Sequence, residues 1–424
     1  MNKETLKQIV TDQRRDFLMK KSGAIREKIA EAETYLKLPH IYVISGIRRC
    51  GKSTFLRQIA EHFYNNKDFF FINFEDERLY NFNAAEFNSI LEVQIELFGN
   101  IKTFIIDEIQ NVDKFELFLR RLSDSGYKFI VSGSNAELLS GEISSKITGR
   151  HIETTLRPFS FNEFLLFKKF EVRENDLYDS EKRAHISAQF EKYMIDGGMP
   201  EYLKYKTSEI ITRMYDDIII KDIVVRNGIT NIVPLRELSR YLVSNFGRKF
   251  SYNSLQRAIG LGSVNTAKSY CQYLENSFLI NNITKFDYSL KKQMANEKKP
   301  YLADHSIIRF VSSQLHNDRG RILENMVGSH LADSNEIYYF SDKKECDFVS
   351  INRKKNISLF QVTLVLNEEN YKREITGLAE AMDYFDLRKG TIITSSQEDE
   401  IIESGKKIKV VPGWRFMLNK KSEL

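Results

Sequence analysis

The sequence predicts an α/β fold: a parallel sheet with flanking helices, then a helical region, then a smaller α/β domain. Three observations predict it. From residue 40 to about 160, short apolar runs alternate with segments of helical spacing, the pattern of a parallel sheet covered by helices. The first run, HIYVISG, leads into GIRRCGKST (46–54), which fits the phosphate-loop pattern G-x-x-x-x-G-K-[ST] and opens the helical stretch STFLRQIAEHF. Beyond residue 300, a second group of strand-like runs surrounds two helical stretches near 320–333 and 368–385.

In chain order, residues 1–38 read as helix with charged faces and a thin apolar stripe. Residues 39–160 hold the runs IYVISG, FFFINFED, TFIIDE, KFIVSGSN and IETTLRPF, each a predicted strand. Residues 161–232 read as helical, broken at DGGMPEYL, and residues 233–290 as three short helices followed by an apolar hairpin. KKQMANEKKP (291–300) reads as a polar, basic connector, and residues 301–424 as strands YLAD, IYYF, CDFVSI, ISLFQVTLV, TIITSS and IKVVPG with two helices between them.

A phosphate chain needs a concave row of backbone N–H groups, and glycines let a loop curl closely around it. The stretch Gly46, Ile47, Arg48, Arg49, Cys50, Gly51, Lys52, Ser53, Thr54 supplies such a loop, with a helix N-terminus facing the anion. Lys52 would reach the β- and γ-phosphates, and the Ser53 hydroxyl would help to hold Mg²⁺. The strand TFIIDE ends in Asp107 and Glu108. An acid at that place supports Mg²⁺ through its water shell, and a second acid polarises the attacking water. KFIVSGSN ends in Ser132, Ser134 and Asn135, where a polar side chain such as Ser134 either senses the γ-phosphate or belongs to a plain turn. The expected cofactors are therefore ATP and Mg²⁺.

Composition narrows the class. With 424 residues the chain has room for two or three domains, each able to bury a core. It is 42% hydrophobic and 29% charged, an ordinary composition for a soluble protein, and no apolar run approaches membrane-spanning length. The charged N-terminus does not read as a secretory signal. Cys50, Cys271 and Cys346 are too few and too scattered for a disulfide framework or a metal site, which points to the cytoplasm. Cys50 inside the loop reads as a neutral spacer, with redox sensitivity as the alternative. A net charge of +5, from 63 basic and 58 acidic residues, permits nucleic acid as a partner without demanding it.

The order of loop, acids, polar strand end, helix (ELLSGEISSKI), Arg150 and strand HIETTL resembles the AAA+ ATPases. In that family an arginine at this place often reaches into the neighbouring subunit's nucleotide. The resemblance therefore implies a catalytic set of Lys52, Asp107, Glu108 and Arg150, and a homo-oligomer. The alternatives for Arg150 are a surface residue or a sensor within its own subunit. GIRRCGKST, FIIDEIQ, GSNAELL, TGRHIETTLRPFSFNEFL and DGGMPEYL together look like a prokaryotic family of AAA+-type ATPases with a C-terminal domain of undefined function, a similarity running through nearly the whole chain.

Residues 234–283 resemble a winged helix-turn-helix whose third helix begins near Ser263. Asn265, Thr266, Ser269 and Gln272 would then face outward toward base edges, and Arg248, Lys249 and Lys268 toward phosphates. The competing reading is a protein-contact module. The last domain, with Glu324 in ILENMVG, Asp347 in ECDFV, and Gln361 and Thr363 in LFQVTLV, resembles the PD-(D/E)xK nuclease fold. Active members hold a divalent metal with three acids and use a lysine beside them. Here Gln361 and Thr363 replace the expected acid and lysine, so the resemblance implies a nuclease-like domain without nuclease activity. The expected function is an ATPase that couples nucleotide state to engagement of DNA or a protein. An ATP-bound switch with negligible turnover and an ATP-gated metal-dependent nuclease are the alternatives.

Overall fold

A computed structural model describes residues 1–134, 149–312 and 318–418. The chain divides into two compact units, residues 1–157 with 276–278, and residues 158–275 with 279–424. The helix expected over ELLSGEISSKI lies outside the described residues.

The first unit carries the predicted α/β fold. Its sheet has five strands, β1 (Ile41–Ser45), β2 (Phe69–Asn73), β3 (Thr103–Asp107), β4 (Lys128–Gly133) and β5 (His151–Thr155), in the order β2-β3-β4-β1-β5. Every neighbouring pair is parallel. The runs are nearly continuous in apolar residues because helices cover both faces of a parallel sheet, leaving little room for polar alternation. Asn73 pairs with Asp107, and Ser45 with both Gly133 and Thr155, so the carboxyl ends of the strands line up along one edge.

The apolar stripe of the N-terminal segment belongs to this core. Leu6, Ile9 and Val10 on the helix Lys3–Met19 are buried in one cluster with Phe70, Phe104 and Phe129. Phe17 on the same helix stacks on Phe71 with ring centroids 3.9 Å apart. Burying each of these side chains contributes about 1.5–3 kcal/mol, enough to hold the amphipathic helix against the sheet. The Gln13 side chain meets β2 at its end, donating to the Asn73 carbonyl (3.0 Å) and accepting from the Asn73 N–H (2.8 Å). A second helix, Ile29–Leu36, ends where Lys128 Nζ donates to the carbonyls of Tyr35 (3.1 Å), Leu38 (2.7 Å) and His40 (2.7 Å).

In the second unit the helices Phe161–Phe167, Ser180–Asp196, Pro200–Tyr205 and Ser208–Asp217 come first, the last continuing as a π-helix over Ile218–Val225. The motifs RPFSFNEFL and GGMPE meet here. The Phe159 N–H donates to the Gly198 carbonyl (2.8 Å), and the Gly198 N–H donates to Asp304 Oδ2 (2.7 Å). Tyr193 Oη donates to the Phe159 carbonyl (2.7 Å). A Cβ on Gly198 would collide with that carbonyl, so the close approach of the two segments requires glycine.

Three helices follow, Val233–Ser244, Tyr252–Ile259 and Val264–Asn276, then β6 (Ile280–Thr284) and β7 (Lys298–Leu302) paired antiparallel. The third helix starts beside Ser263, whose hydroxyl accepts from the Thr266 N–H (3.1 Å) as an N-cap. The segment read as a connector is not one throughout. It contains the helix Leu290–Ala295, and its last three residues open β7, where Lys299 is buried.

The rest forms a mixed six-stranded sheet of β8 (Glu336–Ser341), β9 (Glu345–Ile351), β10 (Ile357–Val362), β11 (Lys389–Thr394), β12 (Asp399–Glu403) and β13 (Lys406–Pro412), ordered β12-β13-β11-β10-β9-β8. The helix Glu368–Tyr384 packs Ile375, Leu378, Ala381 and Met382 into a core with Leu359, Ile392 and Val410. Of these six strands only β12 had no counterpart in the sequence reading, and the short helices Ser306–Val311 and Gly413–Leu418 had none either. β12 is an edge strand of sequence DEIIE, and its exposed acids conceal the strand. Among the described residues no helix is long and apolar enough to cross a membrane.

Candidate functional site

Beyond Ser45 the chain turns at the carboxyl edge of the sheet. Gly46 takes φ 145°, and a Cβ there would strike the Leu156 carbonyl oxygen, so no other residue fits this approach. Gly51, with φ 104°, is the N-cap of the helix Lys52–Phe63, so the helix N-terminus follows the loop directly. Lys52 is buried, with Nζ donating to the Gly46 (3.2 Å) and Ile47 (3.4 Å) carbonyls and lying 3.8 Å from Glu108 Oε1. Ser53 is exposed at the helix start and hydrogen-bonds to Asp107. Arg48 pairs with Glu75 at 3.1 Å.

The two acids at the end of β3 differ. Asp107 is buried and accepts from the Ser132 hydroxyl. Burial and then the neighbouring Glu108 push its carboxyl above the usual carboxylate range, and hydrogen bonds from Ser132 and Ser53 pull it back. Glu108 sits in the left-handed region at φ 52°, a conformation that costs a non-glycine residue about 1–3 kcal/mol and recurs at functional positions. Its N–H donates to Ser132 Oγ (3.2 Å), and Gln110 Nε2 donates to its carboxylate and lies 3.5 Å from the buried Ser134 hydroxyl. The hollow therefore holds an ammonium, a helix N-terminus and two hydroxyls beside two carboxylates. That arrangement suits a polyphosphate with a divalent cation.

Cys50 is buried beneath the loop, and burial pushes its thiol up, which keeps it protonated and unreactive. The support for the loop escaped the sequence reading. Arg26 is buried and donates through Nη1 to the Cys50 carbonyl (2.9 Å) and through Nη2 to the Arg157 carbonyl, while its N–H donates to Gln58 Oε1 (3.1 Å). Gln58 Nε2 in turn donates to the Ala24 carbonyl (2.7 Å). An arginine whose partners are backbone carbonyls leaves no motif.

Arg150 stands apart from the loop. Its carbonyl accepts from the N–H of Ile41, the first residue of β1 (2.9 Å), and its guanidinium forms an exposed ion pair with Asp124. It thus lies at the edge of the sheet opposite the phosphate loop.

In the second unit, Asn265, Lys268, Ser269 and Gln272 are exposed on the helix Val264–Asn276, and Arg248 is exposed as well. Lys249 is committed elsewhere, 2.6 Å from Glu345 Oε2 and donating to Ser341 Oγ (3.1 Å). Glu324, Asp347 and Gln361 do come together. Tyr301 Oη donates to Glu324 Oε1 (2.6 Å), the Val362 N–H donates to Asp347 Oδ2 (2.9 Å), and the Asp347 N–H donates to Gln361 Oε1 (3.3 Å). Gln361 Nε2 donates to the buried Glu374 (2.7 Å), and Thr363 Oγ1 to the Val365 carbonyl (3.2 Å). Lys299, Glu345 and Glu374 complete this centre and were not foreseen. Among the described residues no group of three or more His, Cys, Asp or Glu is arranged to hold a metal ion.

Residues 39–165 match the sequence family described as an AAA domain, and residues 187–318 a domain of unknown function (DUF8612). An uncharacterized Methanocaldococcus jannaschii protein, MJ1544, is 32% identical over 420 residues, spanning 93% of this chain and 92% of the relative. An uncharacterized Haemophilus influenzae protein is 27% identical over 354 residues, 79% of this chain and 85% of its own length. Among solved structures, Cdc6p from Pyrobaculum aerophilum aligns over 71% of this chain and 92% of its own, with 13% identity and a TM-score of 0.25. A superposition that loose carries no argument.

Proposed function

This chain belongs to the family of the Methanocaldococcus jannaschii protein MJ1544, and from that premise we propose that it is an AAA+-type ATPase that hydrolyses ATP to ADP and phosphate. One observation carries the reading: Lys52, Ser53, Asp107 and Glu108 converge at the carboxyl edge of one parallel sheet, Lys52 Nζ lying 3.8 Å from Glu108. Lys52 and the helix N-terminus bind the β- and γ-phosphates. Ser53 and Asp107 would hold the Mg²⁺, which neutralises charge developing on the phosphoryl oxygens. Glu108 orients and polarises water, and Ser134 lies where the γ-phosphate would be sensed.

Lys52→Ala tests this reading. A hydrogen bond to a charged group is worth about 1.5–3 kcal/mol, so ATP affinity should fall about 10- to 100-fold. Calorimetric titration of ATP into the native chain and the variant measures it. Equal affinities would remove the phosphate loop from the argument.

The task of the cycle falls to the second unit. Three helices followed by the β6–β7 hairpin support a winged-helix reading, and the exposed row Asn265, Lys268 and Gln272 supports DNA as the engaged partner. Binding should weaken steeply with salt as counterions are released, and Lys268→Glu should weaken it further while lowering the salt slope by about one. Fluorescence anisotropy of a labelled duplex across a salt series reads both. Salt-independent binding, or none, would move the reading to a protein partner.

A further inference from the structure

We propose that the ammonium of Lys299 is the resident cation of the acidic centre in the second unit, and that it stands in place of a divalent metal ion. The inference is independent of the ATPase reading, since every residue it uses lies beyond residue 240.

Three carboxylates reach one buried point from two elements. Glu324 comes from the helix Arg319–Leu331, while Glu345 and Asp347, two residues apart on β9, project from the same face of the sheet. Acids converging in a low-dielectric interior demand a cation. Lys299, only 3% exposed, supplies it from β7: Nζ lies 2.6 Å from Glu345 Oε1, 3.3 Å from Glu324 Oε1 and 3.8 Å from Asp347 Oδ1. Burial opposes the charge on Lys299, but Tyr301, Glu324, Asp347 and Glu345 outweigh it and hold the ammonium well above the ordinary lysine range.

The three acids have further partners. Tyr301 Oη donates to Glu324, the Val362 N–H to Asp347, and Lys249 pairs with Glu345. Gln361, standing where a third acid would ligate, turns its amide between the Asp347 N–H and Glu374. A divalent cation needs about six oxygens within roughly 2.0–2.6 Å, and an ammonium in the same hollow repels it. The residues present therefore do not fit a metal, although the acids that would attract one persist. Because Lys299 belongs to the β6–β7 hairpin, the same ion cluster also fastens that hairpin to the six-stranded sheet.

The test uses the full chain without nucleotide, in a Ser53→Ala background so that the phosphate loop contributes no metal site, with Mn²⁺ as the probe. Electron paramagnetic resonance titration should detect no Mn²⁺ held by this centre when Lys299 is present. Lys299→Ala should gain one Mn²⁺ per chain, at least tenfold tighter than any residual binding, and lose it on adding Asp347→Asn. If Lys299→Ala does not fold unaided, Mn²⁺ should restore its melting transition, because the three acids again have a cation. Asp347-dependent Mn²⁺ binding or plasmid cleavage by the chain that retains Lys299 would overturn the proposal. So would a Lys299→Ala chain that neither binds Mn²⁺ nor is rescued by it.

Discussion

Arg150→Ala should cut steady-state ATP turnover by about 10³-fold or more, the range of arginines that reach a transferring phosphoryl group, while leaving ATP affinity nearly unchanged. The position of Arg150 makes this a statement about two copies of the chain. Its carbonyl bonds the first residue of β1, whereas the phosphate loop follows the last, Ser45. Five residues of strand at about 3.3 Å each separate those ends, farther than one side chain spans. Within its own subunit Arg150 is thus a surface residue, and its pair with Asp124 is half exposed on both sides. An exposed pair of that kind contributes at most about 1 kcal/mol and is readily exchanged for a triphosphate on a neighbour. Mixing the inactive Arg150→Ala and Lys52→Ala chains should recover part of the activity, because the second lends its arginine to the intact loop of the first. Full turnover in Arg150→Ala, or turnover by a strict monomer, ends this assignment.

Glu108→Gln should bind ATP as tightly as the native chain and hydrolyse it about 10²- to 10⁴-fold more slowly, the usual contribution of a positioned general base. The amide keeps the size of the carboxylate but cannot accept the proton of an attacking water. The backbone that aims it is held independently, by the Glu108 N–H to Ser132 Oγ at 3.2 Å and by the left-handed turn at φ 52°. Phosphate release in a single turnover, beside an affinity measurement, separates chemistry from binding. A variant at the native rate would strip Glu108 of its role. A native chain with no turnover above solution hydrolysis would instead favour the ATP-bound switch.

How much of this was legible in the sequence differs from residue to residue. Gly46, Gly51, Lys52 and Ser53 could be found because a phosphate loop is a local object: its φ angles and its helix start are set within nine residues. Asp107 and Glu108 could be found because a continuous apolar strand ends abruptly in acid. The winged-helix and nuclease-like readings rest on element order, which states sequence but not packing.

The sequence by itself determined the strands of the parallel sheet, the loop after β1 and the acids after β3, since hydrophobic period and backbone preference act over neighbouring residues. Tertiary structure alone decided which charged residues are buried. Arg26 reads as one more polar residue of the N-terminal segment until the carbonyls of Cys50 and Arg157 converge on it. Lys299 reads as part of a basic connector until Glu324, Glu345 and Asp347 surround it. A charge enters a protein interior only when opposite charge or dipoles meet it there, and those partners lie 24 to 131 residues away along the chain. Hydropathy assigns a lysine to water; only the fold can bring three carboxylates to one lysine.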